Sequence, residues 1–191
     1  MPINPTSPIN APEGTNVLQS FSDATAGRSL QLFYAMLSKD SIGVSYVLGR
    51  DAGISEPTSV HATEFDLDFD ITINKPTIFA GIGTIDVNWV ASSSGGGEEG
   101  DYQITFNIYH YDGVTETLIG TVSTQSINTR SSVQVQASKL IVNITRKLFG
   151  VGHVLRLNAV GSATIREVKI FANPTIGGEE LKFWMPVVNL E

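Results

Sequence analysis

The chain holds 191 residues, 41% hydrophobic and 16% charged, with 18 Gly, 8 Pro and no Cys. That balance fits one globular domain with a sufficient core and excludes collagen, wholesale disorder, a disulfide scaffold and Cys-ligated zinc or iron-sulfur sites. Twelve Lys plus Arg against nineteen Asp plus Glu leave a net charge of -7, which opposes binding to a phosphate backbone; no run approaches the roughly 20 apolar residues of a membrane-spanning helix.

Residues 1–16 place Pro2, Pro5, Pro8 and Pro12 at a spacing that forbids helix and leaves little to bury. An extended N-terminal arm is expected there, followed by a single domain over residues 17–191. The opening has neither a basic n-region nor an apolar h-region, so no secretory signal is expected and assembly in a reducing cytosol fits.

From Ser29 to Leu37 the apolar residues fit both a helical face and the strand set Leu30, Leu32, Tyr34, Met36. The following SKDS turn and the alternation of Ile42, Val44, Tyr46 and Leu48 favour a hairpin. The clearest alternation is EFDLDFDITI, with Phe65, Leu67, Phe69, Ile71 and Ile73 on one face and Glu64, Asp66, Asp68, Asp70 and Thr72 on the other. In the next strand Ile85, Val87 and Trp89 share a face, and Gly81 and Gly83 point to a bend or bulge. The polar stretch SSSGGGEEGD reads as an exposed loop.

Around Asp112-Gly113, a hairpin-turn dipeptide, two β runs place Ile104, Phe106 and Ile108 inward and Gln103, Thr105, Asn107, Tyr109 and Tyr111 outward. Val133 and Val135 share one phase while Leu140, Val142 and Ile144 follow the other, which predicts a slip near Ala137-Ser138. RKLFGVGH reads as a loop, Leu155, Leu157 and Ala159 as one inward set, Gly161-Ser162 as a turn, and Val168, Ile170 and Ala172 as another inward set. The pattern totals roughly eight to ten short strands with no βαβ rhythm, so the chain is expected to be all-β: an antiparallel β-sandwich, a jelly roll first and an immunoglobulin-like Greek key second.

Chemistry-bearing residues are sparse. His61, His110 and His153 lie far apart, no G-x-S-x-G elbow accompanies them, and an H-x-H metal cluster is missing, so each reads as a surface or rim histidine. Asp66, Asp68 and Asp70 repeat about 7 Å apart on one strand face. They are calcium candidates, with Glu98, Glu99 and Asp101 second, although a cation wants oxygens converging within about 2.5 Å and a flat face does not supply that. A solvated face that discourages edge pairing is the preferred reading, with no metal and no cofactor. SSSGGGEEG has glutamates where a phosphate loop carries lysine, and Asn143-Ile144-Thr145 is a glycosylation triplet inside a strand. Exposed aromatics remain: Tyr109, Tyr111 and Trp184 are candidate interface anchors together with the prolines of the arm.

The order of segments, a Pro-rich arm, GRSLQLFYAML, the DG hairpin with its IGT strand, G-x-G-H-x-L-R-L and the closing LKFWMP, resembles the small jelly-roll structural proteins of tailed bacteriophage virions, the capsid decoration or cement type. The resemblance implies a non-enzymatic role at the virion surface after assembly in the host cytoplasm. It implies a symmetric oligomer, a trimer foremost, with the major capsid protein as partner, and neither nucleic acid nor membrane. The alternative is a carbohydrate-binding sandwich stacking sugars on Trp89, Tyr109, Tyr111 or Trp184; a calcium-dependent adhesin comes third.

Overall fold

The computed structural model describes residues 28–39, 44–50, 59–62, 64–92, 100–129, 134–164, 167–171 and 181–188. The arm with Pro2, Pro5, Pro8 and Pro12, the slip-flanking Val133, and Glu98 and Glu99 lie outside these residues. Among these residues twelve strands run in chain order: β1 (Arg28–Lys39), β2 (Val44–Gly49), β3 (Ser59–Ala62), β4 (Glu64–Thr72), β5 (Thr77–Ser92), β6 (Gly100–Tyr111), β7 (Glu116–Ser123), β8 (Ile127–Thr129), β9 (Gln134–Phe149), β10 (Val154–Ala163), β11 (Glu167–Phe171) and β12 (Leu181–Val188).

The fold is all-β, a sandwich of jelly-roll type. Hydrogen bonding follows the order β3-β11-β5-β12-β1-β2-β4-β10-β6-β7, with β9 along the far side of β5 and β8 beside β6. Every pairing is antiparallel except the single contact of β2 with β4, where Val47 meets Asp70. There the ladder folds over, so that β9, β5, β12, β1 and β2 form one layer and β4, β10, β6 and β7 the other. Their apolar faces meet in one core: Phe33, Ile85, Val87 and Phe183 from the first layer, Leu67, Phe69, Ile104, Phe106 and Leu157 from the second. Alternation accounts for this directly, since successive side chains leave a strand on opposite faces and one face of each strand turns to the shared core.

Several expected features move. The hairpin of β1 and β2 is present, with Lys39 opposite Val44, but both faces of β1 are covered: Phe33 and Ala35 lie in the core, and Leu32 and Tyr34, on the opposite face, are buried as well. No slip occurs at Ala137-Ser138. There β9 runs on in one phase, with Gln136, Ser138 and Leu140 turned inward and Val135 out at 71% exposure. The irregularity falls nearer the end, where Phe79 pairs Lys147 while Gly81, at φ 117°, pairs Ile144. That bulge sits at the Gly81-Gly83 stretch of β5. Arg146–Phe149 is strand rather than loop, and Phe149 is fully buried. Gly161-Ser162 is no turn but the interior of β10, paired with Phe65 and Glu64 of β4.

Candidate functional site

On the outer face of the second layer, the register places Asp68, Asn158 and Asn107 in one row and Asp70, Arg156 and Tyr109 in the next. These side chains satisfy one another. Thr121 donates to Asn107 (2.8 Å), Asn107 donates to the Asn158 carbonyl (3.1 Å), and the Asn158 amide donates to Asp66 and to Asp68. Arg156 forks onto both oxygens of Asp70 at 2.8 Å, and its third nitrogen lies 2.9 Å from Glu116 and 3.0 Å from Asp68. The side-chain bonds to Asp70, with the neighbouring carboxylates, push the guanidinium further toward its charged form. Asp66, Asp68 and Asp70 therefore do lie on one outward face, but their oxygens point to an amide and a guanidinium, and no metal-holding group of three or more His, Asp or Glu occurs among the described residues. Asp101 accepts from Asn128 at 2.9 Å. Tyr109 and Tyr111 lie half-buried on the same face, Tyr111 donating to the Gly113 carbonyl.

The first layer presents a different outer face. Ile141, Thr84, Trp184 and Leu32 stand in register across β9, β5, β12 and β1, with Ile82 beside them. Ile82 and Ile141 are 62% and 68% exposed, while the half-buried Trp184 donates to Asp86. Trp89 points the other way, into the core at 1% exposure, with its indole N–H on Ser138 Oγ; it cannot serve as a stacking platform.

The third grouping was hidden from the sequence. His110, inward on β6, is 3% exposed, and its Nε2 lies 2.7 Å from Nδ1 of His153, in the turn between β9 and β10. The Phe149 ring stands edge-on at 4.5 Å and passes the contact to Phe79. His110 Nδ1 is buried without a partner. Burial, then Lys147 and His153, hold its pKa below the ordinary histidine value, against the opposing pull of Asp112. His110 is thus a core residue rather than a rim one. For His61 the backbone is placed, opposite Lys169. Two clefts open on the surface, about 240 Å³ beside Asp86, Ser138 and Lys182 and about 580 Å³ beside Glu64, Asp101 and Thr164, and no histidine is among the described residues that line them.

No protein-family model matches the chain, and no curated protein does. Solved structures do. A CocE/NonD family hydrolase from Staphylococcus aureus, seen in two crystal structures, superposes at a TM-score of 0.59 with 12% identity, covering 84% and 85% of this chain and 37% of the hydrolase. An aminopeptidase from the marine sediment archaeon Thaumarchaeota archaeon superposes at 0.54 with 7% identity, covering 82% of this chain and 37% of its own. This chain thus spans just over a third of the length of each neighbour. The likeness is one of fold. It overturns the expected kinship with phage capsid decoration proteins, and with it the non-enzymatic virion role: the solved proteins on which this chain superposes include a hydrolase and an aminopeptidase. Strand patterns misled the sequence reading because a jelly roll imposes the same alternation whatever it serves.

Proposed function

We propose that this chain is the β-sandwich component of a hydrolase, seated through the outer face of its first layer against the part of the enzyme that carries the nucleophile. The observation that carries this reading is the asymmetry of the superposition. More than four-fifths of this chain matches little more than a third of each hydrolytic neighbour. Such a chain corresponds to one structural unit of a larger catalytic protein. His110 and His153 are engaged with each other, and catalysis would draw on residues outside the sandwich. The outer row of Ile82, Ile141 and Trp184 supplies a contact surface, since exposed branched apolar side chains beside an amphipathic indole favour protein burial over water.

The test isolates the tagged chain from its native cells and assays the material for hydrolysis of nitrophenyl acyl esters and aminoacyl nitroanilides. Activity that accompanies the native chain and falls at least about tenfold with an Ile82→Asp, Ile141→Asp variant of unchanged circular dichroism supports the reading. Activity no higher than a tag control, or equal activity with the variant, overturns it. Hydrolysis by the chain purified alone, abolished by His153→Asn, also overturns it and moves the chemistry into the sandwich.

A further inference from the structure

The His110–His153 pair leaves no room for another proton. A buried N–H without an acceptor is the costlier orphan, so the unpartnered Nδ1 of His110 is the bare nitrogen and its Nε2–H donates to His153 Nδ1. His153 then carries its own proton on Nε2. A further proton has two places to go. On His110 Nδ1 it is buried with nothing to accept it. On His153 Nδ1 it sets donor against donor across 2.7 Å unless His110 shifts its own proton to the buried Nδ1, which restores the first problem. Either way the bond is lost or a polar group is stranded, at the desolvation cost such groups carry.

This bond holds a particular piece of backbone. His153 ends a tight turn whose Gly152 lies at φ 86°. Gly152 N–H donates to the Ile73 carbonyl, and Ile73 N–H donates to the His153 carbonyl, both at 2.8 Å. Ile73, fully buried, directly follows β4. The imidazole pair therefore joins the turn between β9 and β10 to the end of β6, while the two backbone bonds join it to the end of β4. Charged groups around the pair come from each side: Lys147 on β9 and His153 in the turn oppose an added positive charge, and Asp112, just beyond β6, favours it.

We propose that the His110–His153 pair is an acid-released latch, closed while the pair is neutral and opened by one added proton, which frees the turn at residues 150–153 from the ends of β4 and β6. The device is independent of the hydrolase reading, since it rests on the sandwich alone.

Hydrogen exchange of the full chain tests it, with rates corrected for the intrinsic pH dependence of amide exchange. On going from pH 7.5 to 5, protection of the Ile73 and Gly152 amides is expected to fall about tenfold or more while that of Phe106 and Leu157 in the core holds. His153→Asn, a change at a half-buried position, removes the partner imidazole and is expected to flatten that pH dependence. His110→Phe keeps a ring in the core and is expected to leave the turn open already at pH 7.5. Equal protection of Ile73 and Gly152 at the two pH values overturns the proposal. So does an undiminished pH dependence in His153→Asn, which would place the responsible group elsewhere; this variant decides the matter even where His110→Phe does not fold.

Discussion

Phe65 and Gly161 face each other across the β4–β10 ladder, and the phenyl ring occupies the space that a side chain at 161 would need: a Cβ there would lie 2.2 Å from Phe65 Cε1. Adding one methyl group must therefore displace a ring that is only 7% exposed.

Gly161→Ala is accordingly expected to destabilise the fold by about 1–3 kcal/mol, the range for overpacking a filled site. Urea unfolding followed by tryptophan emission measures it. In a Phe65→Leu background the same alanine should cost clearly less, because the atoms it strikes are gone. Strict additivity of the two changes would show that the ring is not the obstacle.

Among the described residues, Arg156 is the one cation on a face that otherwise holds Asp66, Asp68, Asp70 and Glu116 in its network. Arg156→Met should lower stability at neutral pH by roughly 1 kcal/mol, the scale of a partly exposed ion-pair network. Arg156→Lys should recover only part of it, since an ammonium cannot fork onto both oxygens of Asp70. Melting curves of the three proteins at pH 7 check the ordering.

Asp112 closes the hairpin between β6 and β7 by accepting from the amides of Thr115 and Val114 at 2.7 and 2.9 Å. Those two bonds hold its carboxyl below its ordinary pKa. A carboxylate whose pKa is lower folded than unfolded stabilises the fold above the unfolded value and loses that contribution as pH falls through the folded one. Asp112→Ala should thus melt lower than the native chain at pH 7 and approach it near pH 2. Asp112→Asn, which keeps an acceptor for an Asx turn and does not titrate, should retain most of the stability at both.

The two tryptophans differ in what surrounds them. Trp89 lies in the core with its N–H on Ser138, whereas Trp184 is half-buried on the outer face against Asp86. Trp184→Phe should leave blue-shifted emission that acrylamide quenches poorly; Trp89→Phe should leave emission quenched several-fold more readily. Similar quenching of the two variants would contradict the inward orientation of β5 at residue 89.

What the sequence discloses here is whatever repeats along a strand. The alternation in β4 and β6 sorts Phe65, Leu67 and Phe69 from Asp66 and Asp68, and Phe106 from Tyr109, because a two-residue period maps directly onto two faces. Relationships between strands carry no such signal. Gly161 reads as a turn residue until Phe65 is seen opposite it. The bulge near Gly81 is visible as a glycine, but its partner stretch at 144–147 in β9 is not, and Val133 and Val135 pull the eye to a slip at 137 that the strand does not make. His110 and His153 are 43 residues apart and meet only because β6 and β10 pair in antiparallel register. The outer network escapes for the same reason: Asp66 shows its charge, but not the amide of Asn158 that holds it.

The place of β12 bears on how the chain comes together. This strand lies between β5 and β1, with Arg28 opposite Val188, so the last of the described strands in chain order fills a slot in the middle of its layer rather than at a margin. Until it arrives, β1 and β5 have no shared neighbour, and each shows an open row of amides and carbonyls to the surroundings. A chain lacking β12 therefore cannot close this layer, and completion waits for the pairing with the greatest sequence separation among the described strands. Truncation within β12 would leave a gap at the centre of the layer, where a loss at either margin would only shorten it.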